Sequence, residues 1–330
     1  MKKNYLDIID PIHDFIRVYD YELPIIDSPL FQRLRRIKQL SGAHLTYPSA
    51  QHSRFEHSLG VMHIATEAGF ALNEKEFLNS DDVQILRLAS LLHDIGHGPF
   101  SHLFEEIIQE KKISHEDFGK KIILKSEIGD ILSKTGFDKK LIAQIAFGES
   151  KFQYLNEIVS GALSADMMDY LLRDGYFTGA EHAKVDHKRI TQSLSVHKKK
   201  IALERSALYS FESMMHSRYQ MFKAVYFHKT VRAAEVMLIQ ALRLSDDEFG
   251  FTSFNLNEYV ELTDEFVLSS IISSKSSKLK KAKKLAEDYQ NRKLLKCVFE
   301  RILTSQKNLK KTRTDELRSW FRFPGGLSVS

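Results

Sequence analysis

Residues 91–102 read Leu91-Leu92-His93-Asp94-Ile95-Gly96-His97-Gly98-Pro99-Phe100-Ser101-His102, an adjacent His-Asp pair closing an apolar run, with two more histidines around Gly98-Pro99. A helix buried on most sides carries His beside Asp only if something satisfies them, because an unpaired buried carboxylate is very costly. A metal ion would satisfy both, whereas a capping or hydrogen-bonding role would satisfy each one singly. Eight of the 14 histidines fall between His44 and His115, where even spacing places about three.

Upstream, Arg54-Phe55-Glu56-His57-Ser58 sets Arg54 and His57 on one helix face at i and i+3. Downstream, Asp166-Met167-Met168-Asp169-Tyr170-Leu171-Leu172-Arg173-Asp174 is a helix whose acids are interleaved with apolar residues and cannot all be surface decoration. Together the imidazoles of His57 and His93 and the carboxylates of Asp94 and Asp166 suit one divalent ion: Mn, Mg, Fe, Co, Ni or Zn. Octahedral coordination leaves two positions for water or substrate oxygen.

The rest of the chain frames this string. With 330 residues, 43% hydrophobic and 28% charged, the composition is that of a globular protein with a real core. Six prolines, none between Pro99 and Pro324, predict an all-α fold with small β-hairpins. The single cysteine, Cys297, excludes disulfide-stapled and Cys-rich zinc modules and fits a reducing compartment. No run of about 18 apolar residues occurs, so a cytoplasmic chain with no membrane partner is expected.

Periodicity predicts a hairpin within 1–24 and a helix opened by Ser28-Pro29, with Leu30, Leu34, Ile37 and Leu40 on one face and Ser41-Gly42 closing it. Further helices are expected near 54–73, 81–95, 100–111, 115–126, 138–147 and 152–174, then a hairpin around 193–204 and two long helices over 206–244. Asp246 to Gly250 reads as a link, dividing a core at 1–245 from a smaller basic helical lobe at 246–330. Of the net charge of +5, residues 275–313 carry +11, from 14 Lys/Arg against 3 Asp/Glu. Such a run is a solvated helix face or a surface for nucleotides, nucleic acid or acidic protein. It lacks the interleaved aromatics of single-strand binders, which leaves nucleic acid a weak candidate partner.

His57, His93-Asp94 and Asp166 on helices resemble the HD-domain metal-dependent phosphohydrolases. The strings Phe31 to Leu40, Arg54 to Gly60, His93 to His102 and Asp166 to Asp174 resemble the dNTP triphosphohydrolase branch, dGTPase-like enzymes included, over roughly residues 8–232. The resemblance implies attack at the α-phosphorus, giving deoxynucleoside and intact triphosphate. It implies that His57, His93, Asp94 and Asp166 hold one divalent metal and that His97, His102 and His115 are catalytic, with Glu105 beside them. A protonated imidazole suits the poor 5′ alkoxide leaving group.

By the same resemblance, Arg54 and Arg218 touch the triphosphate. Gln39 and Asp174 hold the 3′ hydroxyl, Leu40 is a further substrate contact, and Tyr170 and Tyr226 pack against the sugar where a 2′ hydroxyl would sit. Asp27, Gln32 and Arg35 match residues that read guanine at an activating site between subunits. They imply a homo-oligomer, dimer or tetramer, stimulated by a guanine nucleotide. Met167 and Phe222 depart from the family's Lys and His, and Leu6 and Asp7 depart near the activator. The competing readings are an HD phosphatase or phosphodiesterase acting on another nucleotide, and a nucleic-acid-binding regulatory protein.

Overall fold

Two antiparallel strands, β1 (Tyr5–Asp10) and β2 (Asp14–Tyr19), form the expected first hairpin, with Ile8 opposite Ile16 and Asp7 opposite Arg17. The computed structural model describes residues 4–253, 255–298 and the backbone of 321–322. After the hairpin come two single turns, α1 (Leu23–Ile26) and α2 (Pro29–Gln32), the second capped by the Ser28 side chain, which accepts from the Phe31 amide. The helix expected to reach Leu40 stops early. Arg33–Arg36 tighten into a 3-10 turn and Ile37 is extended, at φ −122° and ψ 110°. Leu30, Leu34 and Ile37 are buried as their spacing predicts. Beyond them Lys38 bridges to Ser53, and the Gln39 amide donates to His52 O, so pairing with a neighbouring segment overrides helix propensity.

Ser53 and Glu56 form a capping box that starts α3 (Arg54–Glu74), a helix buried on nearly all sides. Packed along it is α4 (Ser80–Leu92), itself started by an Asn79 capping box. Then follow α5 (His102–Ile108), α6 (His115–Lys125), α7 (Glu127–Lys134), α8 (Lys139–Ala146), α9 (Gln153–Val159) and α10 (Ala165–Thr178). The single helix expected over 152–174 is two: the chain leaves helical geometry at Ser160, and Ser164 caps a new start. Helix α7, capped by Ser126, was not anticipated.

Helix α11 (His187–Gln192) leads into strands β3 (Leu194–His197) and β4 (Lys200–Leu203), paired through a two-residue turn at Lys198 and Lys199, both at positive φ. The two long helices are α12 (Leu208–Met221), extended by a π turn at 222–226, and α13 (Lys229–Phe249). Asp246–Phe249 therefore completes α13 instead of forming a link, and Gly250 ends it at φ +64°. Helices α14 (Leu256–Glu261), α15 (Asp264–Ser273) and α16 (Lys280–Gln290) follow, and β5 (Lys296–Cys297) pairs with β6 (Phe321–Arg322). The part of the basic run from 299 to 313 lies outside the described residues.

The fold is all-α with three small hairpins or strand pairs among the described residues. Its main core gathers around α3, α4, α8, α9 and α10. A second core joins Phe104 and Phe118 to Leu238, Tyr259, Val267 and Leu285, from both sides of position 245. Within it the Phe118 and Tyr259 rings stack 3.9 Å apart. Among the described residues no helix is long and apolar enough to cross a membrane.

Candidate metal centre

Three helices meet around one cluster. His57 comes from the first turn of α3, His93 caps the end of α4, and the Ser164 cap puts Asp166 in the first turn of α10, where the helix dipole favours a carboxylate. One donor atom from each of His57, His93 and Asp166 lies within 4.8 Å of the others. Asp94 stands beside them, its carboxylate 3.6 Å from His57 Nε2, 3.4 Å from His93 Nε2 and 3.3 Å from His97 Nε2.

The donor chemistry fits a divalent cation. His93 Nδ1 lies 2.7 Å from Ser90 O, which fixes its proton there and leaves Nε2 a lone pair. That Nε2 is buried and has no hydrogen-bonding partner. His57 Nδ1 lies 2.8 Å from Asp169 Oδ2, aiming its Nε2 toward Asp166 at 3.2 Å. Burial alone would lower the His57 pKa, but the Asp166 and Asp169 carboxylates raise it to about 10. A proton on His57 thus balances the acids where a cation would otherwise do so. Asp94 is held well below the usual carboxylate range, against the opposing effect of burial, by Arg54, His93 and His97.

Behind His57 lies a buried ionic lattice that local sequence reading did not find. Asp169 meets His13 Nε2 at 2.7 Å and accepts from Arg173 Nε at 2.9 Å, while Arg173 also donates to Asp10 at 2.9 Å. Gly60 is what permits this packing, since a Cβ there would stand 1.9 Å from Asp169 Oδ1. The one available signal was the i, i+3 spacing of Asp166 and Asp169, which points both at the same face.

A cavity of about 540 Å³ opens from the cluster. Gln39, Leu40, Arg54, His93, Asp94, His97, His102, His115, Asp166, Tyr170, Asp174 and Tyr226 all line it. Arg54 is buried; it donates from Nε to Ser101 Oγ at 2.7 Å and from Nη1 to Asp94, while its Nη2 has no partner. Burial and Arg54 hold the His97 imidazole well below its usual range. Glu105 joins the other two histidines, 2.7 Å from His115 Nδ1 and 3.4 Å from His102 Nδ1. The His102 side chain is 73% exposed and sits at the rim. Gly96 lets α6 come close, because a Cβ there would stand 2.1 Å from His115 O.

At the other end Asp174 accepts from Tyr226 Oη at 2.6 Å and faces His52 Nε2 at 2.8 Å. His52 was missed as a site residue, although it belongs to the histidine-rich window. Tyr170 and Tyr226 meet edge to face at 6.4 Å, and burial pushes the Tyr170 hydroxyl up to about 12. Arg218 does not line the cavity; its guanidinium lies 5.6 Å over the Phe222 ring.

Asp27, Gln32 and Arg35 also lie outside this cavity. Gln32 Oε1 accepts from Arg35 Nε at 2.8 Å, and Arg35 lies 3.5 Å over the Phe55 ring. Asp27 caps the end of α1 and is exposed.

Comparison with known proteins agrees with this geometry. The HD domain family model matches residues 54–174, and the HD associated region matches residues 185–320. An uncharacterised protein of Methanocaldococcus jannaschii is 43% identical over 239 residues, covering 71% of this chain and 49% of that protein. The Dictyostelium discoideum deoxynucleoside triphosphate triphosphohydrolase SAMHD1 homolog is 32% identical over 334 residues, covering 93% of this chain and 62% of its own length. A crystal structure of a hypothetical protein from Aquifex aeolicus, 34% identical, is similar with a TM-score of 0.81 over 97% of this chain and 83% of that one. The chain spans about half and about three fifths of the two curated relatives. The similarity runs well beyond position 232, where the resemblance read from the sequence motifs stopped.

Proposed function

The chain belongs to the HD-domain family of metal-dependent phosphohydrolases, in its dNTP triphosphohydrolase branch, and from that premise we propose that it hydrolyses dNTPs to deoxynucleoside and triphosphate. The observation that carries this reading is the convergence of unpartnered buried polar atoms on one cavity. His93 Nε2, Arg54 Nη2 and Gln39 Oε1 each lack a partner, and all three residues line the same space. An imidazole lone pair suits a cation, a guanidinium N–H suits a phosphate oxygen, and an amide oxygen suits a sugar hydroxyl. Together they describe a metal-bound nucleotide.

His57, His93, Asp94 and Asp166 would hold the divalent ion, which supplies Lewis-acid polarisation of the phosphoryl oxygens. Arg54, fixed by Ser101 and Asp94, orients the phosphates. As water attacks the α-phosphorus and its bond to the 5′ oxygen breaks, one of His102 and His115, which share Glu105, donates a proton to the departing 5′ oxygen, and the attacking water gives its proton to a neighbouring base. Tyr170 and Tyr226 wall the sugar, while Asp174, oriented by His52, receives the 3′ hydroxyl with Gln39. Arg218 stands outside the cavity wall, over the Phe222 ring, and would have to swing inward from α12 to touch a terminal phosphate. Asp27, Gln32 and Arg35 would form a separate guanine-nucleotide site in a homo-oligomer, a reading that rests on the family resemblance and on the contact between Gln32 and Arg35.

The test incubates metal-loaded protein with each dNTP singly and in mixtures, with chromatography for nucleoside and triphosphate. Nucleoside with intact triphosphate is the expected product pair. Monophosphate with pyrophosphate, or turnover of monophosphates or phosphodiesters alone, would reject the reaction. The activating site is tested by dATP loss with and without GTP. A rate indifferent to GTP and unchanged in Arg35→Ala rejects that part alone.

A further inference from the structure

The turn between His97 and His102 is held in an unfavourable backbone conformation by a residue far outside the HD-matching segment. Phe100 and Ser101 both have positive φ, 57° and 54°, with neither being glycine. Such geometry persists only where surrounding contacts over-determine it. Here the contacts are explicit. The Phe100 amide donates to Asp264 Oδ1 at 2.6 Å, and Ser41 Oγ donates to Phe100 O at 2.6 Å. Ser101 Oγ accepts from Arg54 Nε at 2.7 Å and donates to Lys38 O at 2.8 Å.

Asp264 closes the loop. Its second oxygen, Oδ2, accepts from the Lys38 amide at 3.0 Å. One buried carboxylate therefore staples the segment bearing Gln39 and Leu40 to the turn bearing Ser101 and His102. Its neighbourhood repeats the connection: Leu262 O accepts from Arg33 Nε at 3.2 Å, and Tyr259 Oη donates to Gly96 O at 2.7 Å. Burial pushes the Asp264 carboxyl up to about 6, and the Lys38 and Phe100 amides are the first groups opposing that rise.

We infer that Asp264 is a positioning residue for hydrolysis, acting through the Phe100–Ser101 turn on Arg54 and His102. It touches neither the metal-ligand cluster nor the cavity wall. Its loss should leave the metal in place and let the turn relax, moving the Arg54 and His102 side chains off their productive positions. Misplacement on the order of 1 Å costs about 100-fold in rate.

The inference rests on the phosphohydrolase reading, and its test uses the full-length metal-loaded protein carrying Asp264→Asn, near-isosteric and the safer folder, or Asp264→Ala. Expected are a kcat about 10- to 100-fold lower on whichever phosphate ester the wild type hydrolyses, a KM within about threefold and unchanged metal content. Asp264→Asn, keeping one acceptor oxygen, should lose less than Asp264→Ala. Hydrogen exchange, read by mass spectrometry, should quicken over 98–103 and 38–41 and stay unchanged in α4. A folded Asp264→Ala protein with kcat within about twofold of wild type overturns the inference. If the wild type hydrolyses no dNTP or other phosphate ester, the functional reading fails by itself. Asp264 is then judged by exchange, and unchanged protection at Phe100 overturns it.

Discussion

The His97 and His115 rings stack face to face, their centroids 4.0 Å apart and their planes 12° from parallel. Burial and Arg54 lower the His97 pKa, and its Nε2 faces Asp94. His115 and His102 instead share the Glu105 carboxylate, which makes them the pair whose part in proton transfer is to be tested.

Replacing Glu105 by Gln keeps the shape and removes the charge. We expect kcat to fall about 10- to 100-fold with metal content unchanged. Steady-state kinetics beside metal analysis decides it, and a wild-type kcat would show that Glu105 does not tune the pair.

Asp94→Ala tests a different dependence. Losing a metal ligand between helices that share an apolar core would by itself spare the fold, but Asp94 also pairs with the buried Arg54. Stranding that guanidinium costs about 3–5 kcal/mol. Both metal content and thermal midpoint should drop, and Asp94→Asn should lose less stability. An unchanged midpoint in Asp94→Ala would show that Arg54 needs no anion.

Metal affinity should rise with pH. Against the effect of burial, Asp166 and Asp169 raise the His57 pKa to about 10, so if His57 is a ligand, a metal would have to displace its proton. One displaced proton means about a tenfold gain in affinity per pH unit below that pKa. Titration calorimetry in buffers of different ionisation enthalpy measures the proton released. Zero protons would contradict the assignment of His57 as a ligand.

Asp264 makes a pH-dependent contribution of opposite sign to an exposed acid. Its carboxyl is raised from 3.8 to about 6 by burial, so the proton favours the folded state. That stabilisation is complete below the unfolded value and is lost as pH rises through about 6. The thermal midpoint of Asp264→Asn relative to wild type should therefore shift upward between about pH 4 and pH 7. A constant difference would place the carboxyl at its ordinary value.

Tyr226→Phe removes the hydroxyl that donates to Asp174 at 2.6 Å. We expect KM for dGTP to rise about 3- to 10-fold, and the wild type to turn over GTP at least about tenfold more slowly than dGTP. Equal turnover of GTP and dGTP by the wild type would remove the tyrosines from sugar selection.

What could be read in advance was what is local. The histidine-aspartate string, the cap at Ser28 and the periodicity of α3 and α4 are each written within a few neighbouring residues. The break before α10 had a signal in Gly161 and Ser164, but the apolar spacing on either side concealed it. Helix α2 ended early because the backbone of Lys38 and Gln39 found partners in Ser53 and His52. Beyond the spacing of Asp166 and Asp169, the outer ring of the site was not legible. His13 meets Asp169 across 156 positions, and Asp10 meets Arg173 across 163. Asp264, following Thr263, looks like any acid in the first turn of a helix.

The staple at Asp264 also imposes an order on synthesis. A chain leaving the ribosome N-terminus first can bring His57, His93, Asp94 and Asp166 together once α10 has emerged. The turn at Phe100 and Ser101 acquires its anchor only about ninety residues later, when α15 appears. If the proposed roles hold, a nascent chain would gather its candidate ligands well before that turn is anchored, and a chain released short of residue 264 would lack the anchor altogether.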